Sequence, residues 1–211
     1  PENAEEAAAN GCARSTVKET YEFILGDLNK AIELLANTKK TRSDKRYVSL
    51  DVAYGIRARV HLTMHNYADA LKDAEAALAS TSSVPYSSAA VSKPTFIDIE
   101  DASWMWGILI TDKDRVSTTG ICNFPSHMGS LNYGYASVGG WRRISPKLYN
   151  QIPESDVRKG WFLDDTGVSV NLPAAAQAYI TKKGAPVYTQ VKYGPMNDEW
   201  GSNNNATDVI L

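Results

Sequence analysis

Ser49-Leu50-Asp51-Val52-Ala53-Tyr54-Gly55-Ile56-Arg57-Ala58-Arg59-Val60-His61-Leu62-Thr63-Met64 is followed, after His65-Asn66, by Tyr67-Ala68-Asp69-Ala70-Leu71-Lys72-Asp73-Ala74-Glu75-Ala76-Ala77-Leu78. Ser49 offers an N-cap, and behind it Ala53, Ile56, Val60 and Met64 recur at helical spacing. His65-Asn66 reads as a short turn. Tyr67, Ala70, Leu71, Ala74, Ala77 and Leu78 then share one side of a second helix. Ala58 on the first helix and Ala70, Ala74 and Ala77 on the second stand where an ordinary amphipathic pair carries larger residues. Two helices must therefore approach closely, with Ala58 facing Ala70 and Ala74 and no strand between Ser49 and Leu78.

Upstream, Thr16-Val17-Lys18-Glu19 has the pattern of a capping box. Tyr21, Ile24, Leu25, Leu28, Ile32 and Leu35 follow on one face, predicting a helix over Thr16–Ala36. Asn37–Arg46 is polar and basic and reads as a loop. The paired helices are close to a tetratricopeptide unit, a helical hairpin of about 34 residues. One such unit cannot bury its own apolar face, and about three are needed for stability. Only one and a half are visible, so the chain reads as an internal piece of a larger protein. The apolar face of Thr16–Ala36, and Val209-Ile210-Leu211 at the other end, are expected to be exposed or covered by a neighbour.

From Thr81 onward Ser, Thr, Pro and Gly become frequent and helical periodicity fades. The expected organisation is a tetratricopeptide-like helical scaffold over residues 1–80 and a loop-rich lobe over residues 81–211 packed on it, incomplete at both ends. The fold class is mainly α. Later helices are expected at Ser145–Gln151, where Pro146 suits a first turn, and at Ala174–Thr181 after Pro173. A hairpin is expected around Asp165-Thr166-Gly167 or Lys183-Gly184.

The composition sets bounds on function. The 211 residues are 43% hydrophobic and 22% charged, with a formal net charge of -2, which argues against nucleic acid as a partner. No apolar run approaches the roughly 18 residues of a membrane-spanning helix. The opening Pro1-Glu2-Asn3-Ala4-Glu5-Glu6 lacks the basic and apolar regions of a signal peptide. Cys12 and Cys122 pair only if the fold brings them together, and two separate thiols are the expected reading.

No catalytic residue, metal site or cofactor is predicted. His61 and His65 have the spacing of zinc-protease ligands, but Leu62 stands where the general base belongs, and His127 is the sole further histidine. Neither a nucleophile elbow nor a phosphate-cradling glycine loop is present. Carboxylates cluster at Asp98, Glu100 and Asp101, at Asp112 and Asp114, and at Asp164 and Asp165, as a solvated surface shows by chance. The aromatic residues carry more information. Trp104, Trp106 and Trp161 read first as core. Tyr133, Tyr135 and Trp141 sit in or beside the glycine-rich segment Gly129–Gly140, where rings are poorly screened. Sugar rings stack their C–H faces on such aromatics, and Asn123, Asn132 and Arg142 could meet the hydroxyls. Tyr133, Tyr135, Trp141, Asn132 and Arg142 are the candidate ligand residues.

Four blocks of sequence together resemble one family. The first runs from Ala13-Arg14-Ser15-Thr16 to Leu34-Leu35. The second combines Val48-Ser49-x-x-Val52-Ala53-x-Gly55-x-x-Ala58-Arg59 with Asn66-Tyr67-x-x-Ala70. The third comprises Ile144-Ser145-Pro146-Lys147-Leu148-Tyr149, Asp156-Val157-Arg158-Lys159 and Trp161-Phe162. The fourth comprises Tyr188-x-x-x-Lys192-Tyr193-Gly194 and Thr207-Asp208-Val209-Ile210-Leu211. In this order they resemble SusD/RagB proteins, with the last block leading into further repeat helices. The resemblance implies a SusD-type helical superhelix carrying a loop-rich lobe, and a surface lipoprotein of the outer membrane. It implies oligosaccharide as ligand, handed to a TonB-dependent importer of the SusC type, without hydrolysis. The blocks are scaffold determinants and transfer no ligand contact to a numbered residue. Two other readings stay open: a tetratricopeptide module holding a peptide partner, and a glycosidase using a carboxylate pair.

Overall fold

Two helices precede the turn-linked pair: α1 spans Ala4–Asn10 and α2 spans Val17–Asn37. The second starts at the expected capping box, in which the Glu19 amide donates to Thr16 Oγ1 at 3.2 Å and the Thr16 amide donates to Glu19 Oε2 at 2.8 Å. The computed structural model describes residues 3–11, 13–38, 41–94, 97, 99–108, 127–132, 139–201 and 208–209. Cys12 and Cys122 lie outside the described residues, as do Asp98, Asp112, Asp114 and Asn123. No described helix is long and apolar enough to cross a membrane. The chain divides into two compact units, Pro1–Arg42 with Val48–Thr81, and Ser43–Tyr47 with Ser82–Leu211.

In the first unit, α3 (Leu50–Thr63) and α4 (Tyr67–Ser80) form the expected hairpin, closed by Met64-His65-Asn66. Ala70 and Ala77 are buried, and Ala58, Ala70 and Ala74 line one groove between the helices. Ser49 occupies the N-cap position of α3 but caps no amide; its hydroxyl donates to the Asp51 carboxylate instead. The seam also holds an ion pair that the apolar pattern hid. Asp73 is buried and accepts from Arg57 Nε and Nη2, both at 2.7 Å. Arg57 reaches on to Asn29 Oδ1 of α2 at 2.6 Å, so one guanidinium ties three helices. Because Asp73 faces inward, Leu71 (61%) and Leu78 (69%) face out. The apolar face of α2, expected to lie exposed or under a neighbour, is instead turned inward: Ile32 is buried, with Tyr21, Ile24, Leu25, Leu28 and Leu35 half-buried. The two histidines do not share a helix face. α3 ends at Thr63, and His65 sits in the turn at φ 62° with its Nδ1 2.8 Å from the Tyr67 hydroxyl.

The second unit is held by short elements and long-range bonds. Its core is Leu131, Leu163, Ala176, Ile180 and Val191, with Trp141, Leu172, Tyr179, Ala185 and Trp200 packed around it. Ser43–Tyr47 belongs here because the Gly107 amide donates to Lys45 O at 3.2 Å and the Trp106 indole to Arg46 O at 3.0 Å. Lys45 Nζ also donates to Asp101 O. Asp101 organises its loop by accepting from the Tyr86 hydroxyl at 2.7 Å and the Ser103 amide at 2.9 Å. Trp104 is buried, and the Trp161 indole donates to Val91 O at 2.7 Å, in α5 (Ser88–Val91).

Three sequence expectations change here. β1 (Gly107–Ile108) pairs antiparallel with β2 (Asp208–Val209), so the backbone at 208–209 is extended where a helical lead-in was expected. Gly184 turns no hairpin. It follows a helix at φ 68°, its amide donating to Thr181 O and that of Ala185 to Ile180 O, the paired bonds of a Schellman C-cap. Asp165-Thr166-Gly167 joins no strands; the Asp164 carboxylate instead accepts from the amides of Thr166 and Val168.

Candidate functional site

The later helices arrive where expected, α6 at Pro146–Tyr149 and α7 at Ala174–Lys182, with Pro146 in the first turn of α6. After α7, the run 187–191 is bonded on both sides. The Ile144 amide donates to Tyr188 O at 3.1 Å and the Gln190 amide to Arg142 O at 2.7 Å. On the other flank the Tyr188 amide donates to Leu163 O at 3.0 Å and the Val191 amide to Trp161 O at 2.7 Å. With both its amide and its carbonyl engaged, Tyr188 is held at φ 65°. That is a strained backbone for a bulky side chain, and such strain persists only where the surroundings fix it.

The Tyr188 ring meets the Tyr149 ring with centroids 5.2 Å apart and planes tilted by 57°. Together with Phe162 they form the aromatic part of a cleft of about 520 Å³. Lys159, 15% exposed, lays its ammonium 4.9 Å from the centre of the Tyr149 ring and pairs with Glu154. Burial pushes the Tyr149 phenol up, so it remains a neutral donor across the physiological range.

The polar part of the cleft divides into engaged and free groups. Asp156 accepts from the Arg158 amide at 3.0 Å and from its guanidinium at 2.9 and 2.6 Å, which lowers its carboxyl to about 2. Burial would raise Asp164, but bonds from Thr166 and from the amides of Val168, Thr166 and Gly167 outweigh it, and its pKa is lowered. Asn171 Nδ2 donates to Val157 O at 2.8 Å and packs flat on Gly160. A Cβ at position 160 would lie 2.4 Å from the Asn171 amide, so a side chain there would displace that wall. Asn150 and Asp165 are exposed at the rim, and among the described residues their side chains make no hydrogen bond or ion pair. Free donors and acceptors beside tilted aromatic rings are what a polyhydroxylated ring needs: C–H faces on the tyrosines and hydroxyls on the amide and carboxylate. Two of the four carboxylates are held ionised by hydrogen bonds, which suits acceptors and not a proton-donating general acid.

The residues singled out from sequence fare differently. Tyr133 and Tyr135 lie outside the described residues. Asn132 is 2% exposed, and its Oδ1 has no partner among the described residues, so as placed it offers a ligand no surface. Trp141 leans on the core cluster. Arg142 is exposed, and its carbonyl accepts from the Gln190 backbone amide. Of the three described residues, Asn132, Trp141 and Arg142, none lines the Tyr149–Tyr188 cleft. Tyr149 and Tyr188 stood inside the family-like blocks and read there as scaffold; their separation of 39 positions leaves no periodic signal that they meet.

A helical hairpin scaffold with a loop-rich, aromatic-lined lobe defines the class of this chain: its fold is SusD-like. A SusD-like carbohydrate binding protein from Bacteroides vulgatus ATCC 8482 matches 98% of this chain with a TM-score of 0.68 at 21% identity, over 39% of its own length. A SusD-like protein from Bacteroides fragilis NCTC 9343 matches 92% of this chain with a TM-score of 0.51 at 17% identity, over 46% of its own length. The chain therefore spans less than half of either structure. No protein-family model matches the sequence, and no curated protein does.

Proposed function

We propose that this chain binds oligosaccharide in the Tyr149–Tyr188 cleft, as part of a surface lipoprotein of the outer membrane. It delivers the glycan to a TonB-dependent importer of the SusC type and does not cleave it. The observation that carries this reading is the strained, ring-paired Tyr188 beside the unengaged Asn150 and Asp165. The SusD-like fold and the carbohydrate-binding description of the Bacteroides vulgatus protein support it. Tyr133, Tyr135 and Arg142, in and beside the glycine-rich segment of the sequence, are proposed as further contacts, while Trp141 packs on the core and Asn132 is buried.

Tyr188→Gly tests the cleft cleanly, because glycine accepts φ 65° while removing the ring. Oligosaccharide affinity should fall about tenfold or more, as loss of a stacking ring worth roughly 1.4 kcal/mol implies, with little loss of stability. Unchanged affinity in Tyr188→Gly, with loss in a Tyr133→Ala, Tyr135→Ala variant, would move the site to the glycine-rich loop. Co-purification of the full-length protein with a TonB-dependent importer tests the partner.

A second reading, a peptide-binding helical module, rests on the open groove of about 580 Å³ along α3 and α4, where Leu62, Tyr67, Leu71 and Leu78 present apolar surface. It predicts that Leu71→Ala with Leu78→Ala abolishes a peptide interaction and leaves sugar binding intact.

A further inference from the structure

Four carboxylates line the cleft, those of Glu154, Asp156, Asp164 and Asp165, against one ammonium, that of Lys159. The nearby cations are already committed. Lys159 pairs with Glu154 over the Tyr149 ring. Arg158 forks Asp156 with its Nη2 2.6 Å from Oδ2. Asp164 and Asp165 have no cation among the described residues. Recognition of an anionic sugar relies on an arginine or lysine free to meet its carboxylate or sulfate. Among the described residues this cleft offers none, and its unneutralised charge has the wrong sign. A carboxylate such as Asp165 is, by contrast, a good acceptor for an uncharged sugar's hydroxyls, since a charge-assisted bond is stronger than a neutral one.

We infer, resting on the glycan-binding reading, that the Tyr149–Tyr188 cleft takes uncharged glycan chains and rejects chains bearing carboxylate or sulfate groups. The selectivity is electrostatic: one unit charge brought near another of the same sign at a wet surface loses about fivefold in affinity at low salt. It fades as salt shortens the screening length. The aromatic shelf supplies affinity, and the carboxylates decide which glycans reach it.

The experiment is calorimetric titration of the full chain with matched oligosaccharides: galactose against galacturonate, mannose against mannuronate, and a sulfated galactan oligomer. At least one neutral series should bind, with its acidic counterpart about fivefold weaker or worse at low salt. Added salt should narrow the gap, as should Asp165→Asn, while Tyr188→Gly should weaken both members of a pair. Acidic chains binding as tightly as neutral ones, or a gap that neither salt nor Asp165→Asn alters, would overturn the selectivity and leave glycan binding standing. Failure of every oligosaccharide to bind would remove the glycan-binding reading and this inference with it.

Discussion

In the helical unit, order comes from neighbours in sequence: the capping box at Thr16–Glu19, alanines every third or fourth residue in α4, and a turn of three residues between α3 and α4. In the lobe, the longest described helix has 9 residues, and order comes from side chains reaching distant carbonyls. The Trp161 indole bonds a carbonyl 70 positions away and the Gln190 side-chain amide one 62 positions away. The same length of chain is thus specified in one place by period and in the other by single contacts. In the lobe, the contacts that hold Tyr188, Asn171 and Asp156 also shape the cleft. Removing one lobe contact should change binding before it changes fold.

The contrast can be broken most sharply where the helical unit departs from its own rule. Asp73 is buried on the face that the pattern reserves for apolar residues. Asp73→Ala leaves the Arg57 guanidinium in the seam without its carboxylate, a defect costing about 3 kcal/mol. The expected result is a large fall in the urea midpoint of the helical circular-dichroism signal. A joint Arg57→Met, Asp73→Met replacement should recover most of it, since the pair's desolvation cost goes with its attraction. A small effect of Asp73→Ala would mean that alanine packing alone holds the hairpin.

In the lobe the corresponding change is Gly160→Ala. The new Cβ must push the Asn171 amide off Val157 O, costing about 2 kcal/mol. All five tryptophans lie in the second unit, so their fluorescence reports the lobe while circular dichroism follows mainly α2, α3 and α4. The fluorescence midpoint should fall with the circular-dichroism midpoint unmoved, and oligosaccharide affinity should drop with it. A joint fall of both signals would mean the two units unfold as one.

This division explains how far the sequence could be read. The hairpin, the capping box, the first turn of α6 at Pro146 and the start of α7 follow from rules acting over four residues or fewer. The Arg57–Asp73 pair escaped because periodicity scores an aspartate as outward whatever faces it across the seam. Gly184 misled because glycine at positive φ serves a helix C-cap as readily as a hairpin turn. The cleft was the least legible part. Its signal is the meeting of Tyr149 with Tyr188 and of Gly160 with Asn171, contacts set by single long-range hydrogen bonds and bridges and by no local period. Composition drew attention to the aromatic-rich half, and within it glycine content pointed to residues 129–140 and away from the tyrosines at 149 and 188.

A smaller effect sharpens the local side of the contrast. Thr16→Ala removes the hydroxyl that accepts from the Glu19 amide and should cost about 1 kcal/mol. Because the box lies at the start of α2, the loss belongs to the circular-dichroism midpoint alone. A shift in tryptophan fluorescence would show that helix order propagates into the lobe.

The smallest effect is read in acid. The Asp156 carboxyl, bonded by the Arg158 guanidinium and amide, titrates at about 2 in the folded chain, against about 3.9 when unfolded. A lowered folded pKa means that the fork's contribution is fully present above the unfolded value and disappears as pH falls through the folded one, so its window runs from about 4 down to about 2. Asp156 also caps the short helical turn Val157–Trp161, whose carbonyl at Val157 holds Asn171 against Gly160. The carboxyl carbon resonance of Asp156 should therefore move with a midpoint near 2, with the Asn171 side-chain amide following the same curve. In Arg158→Gln the midpoint should rise toward the ordinary carboxylate range, carrying the Asn171 transition up with it. If Asn171 keeps a fixed profile in both proteins, the turn and the cleft wall are independent, and the lobe is less tightly wired than its hydrogen bonds imply.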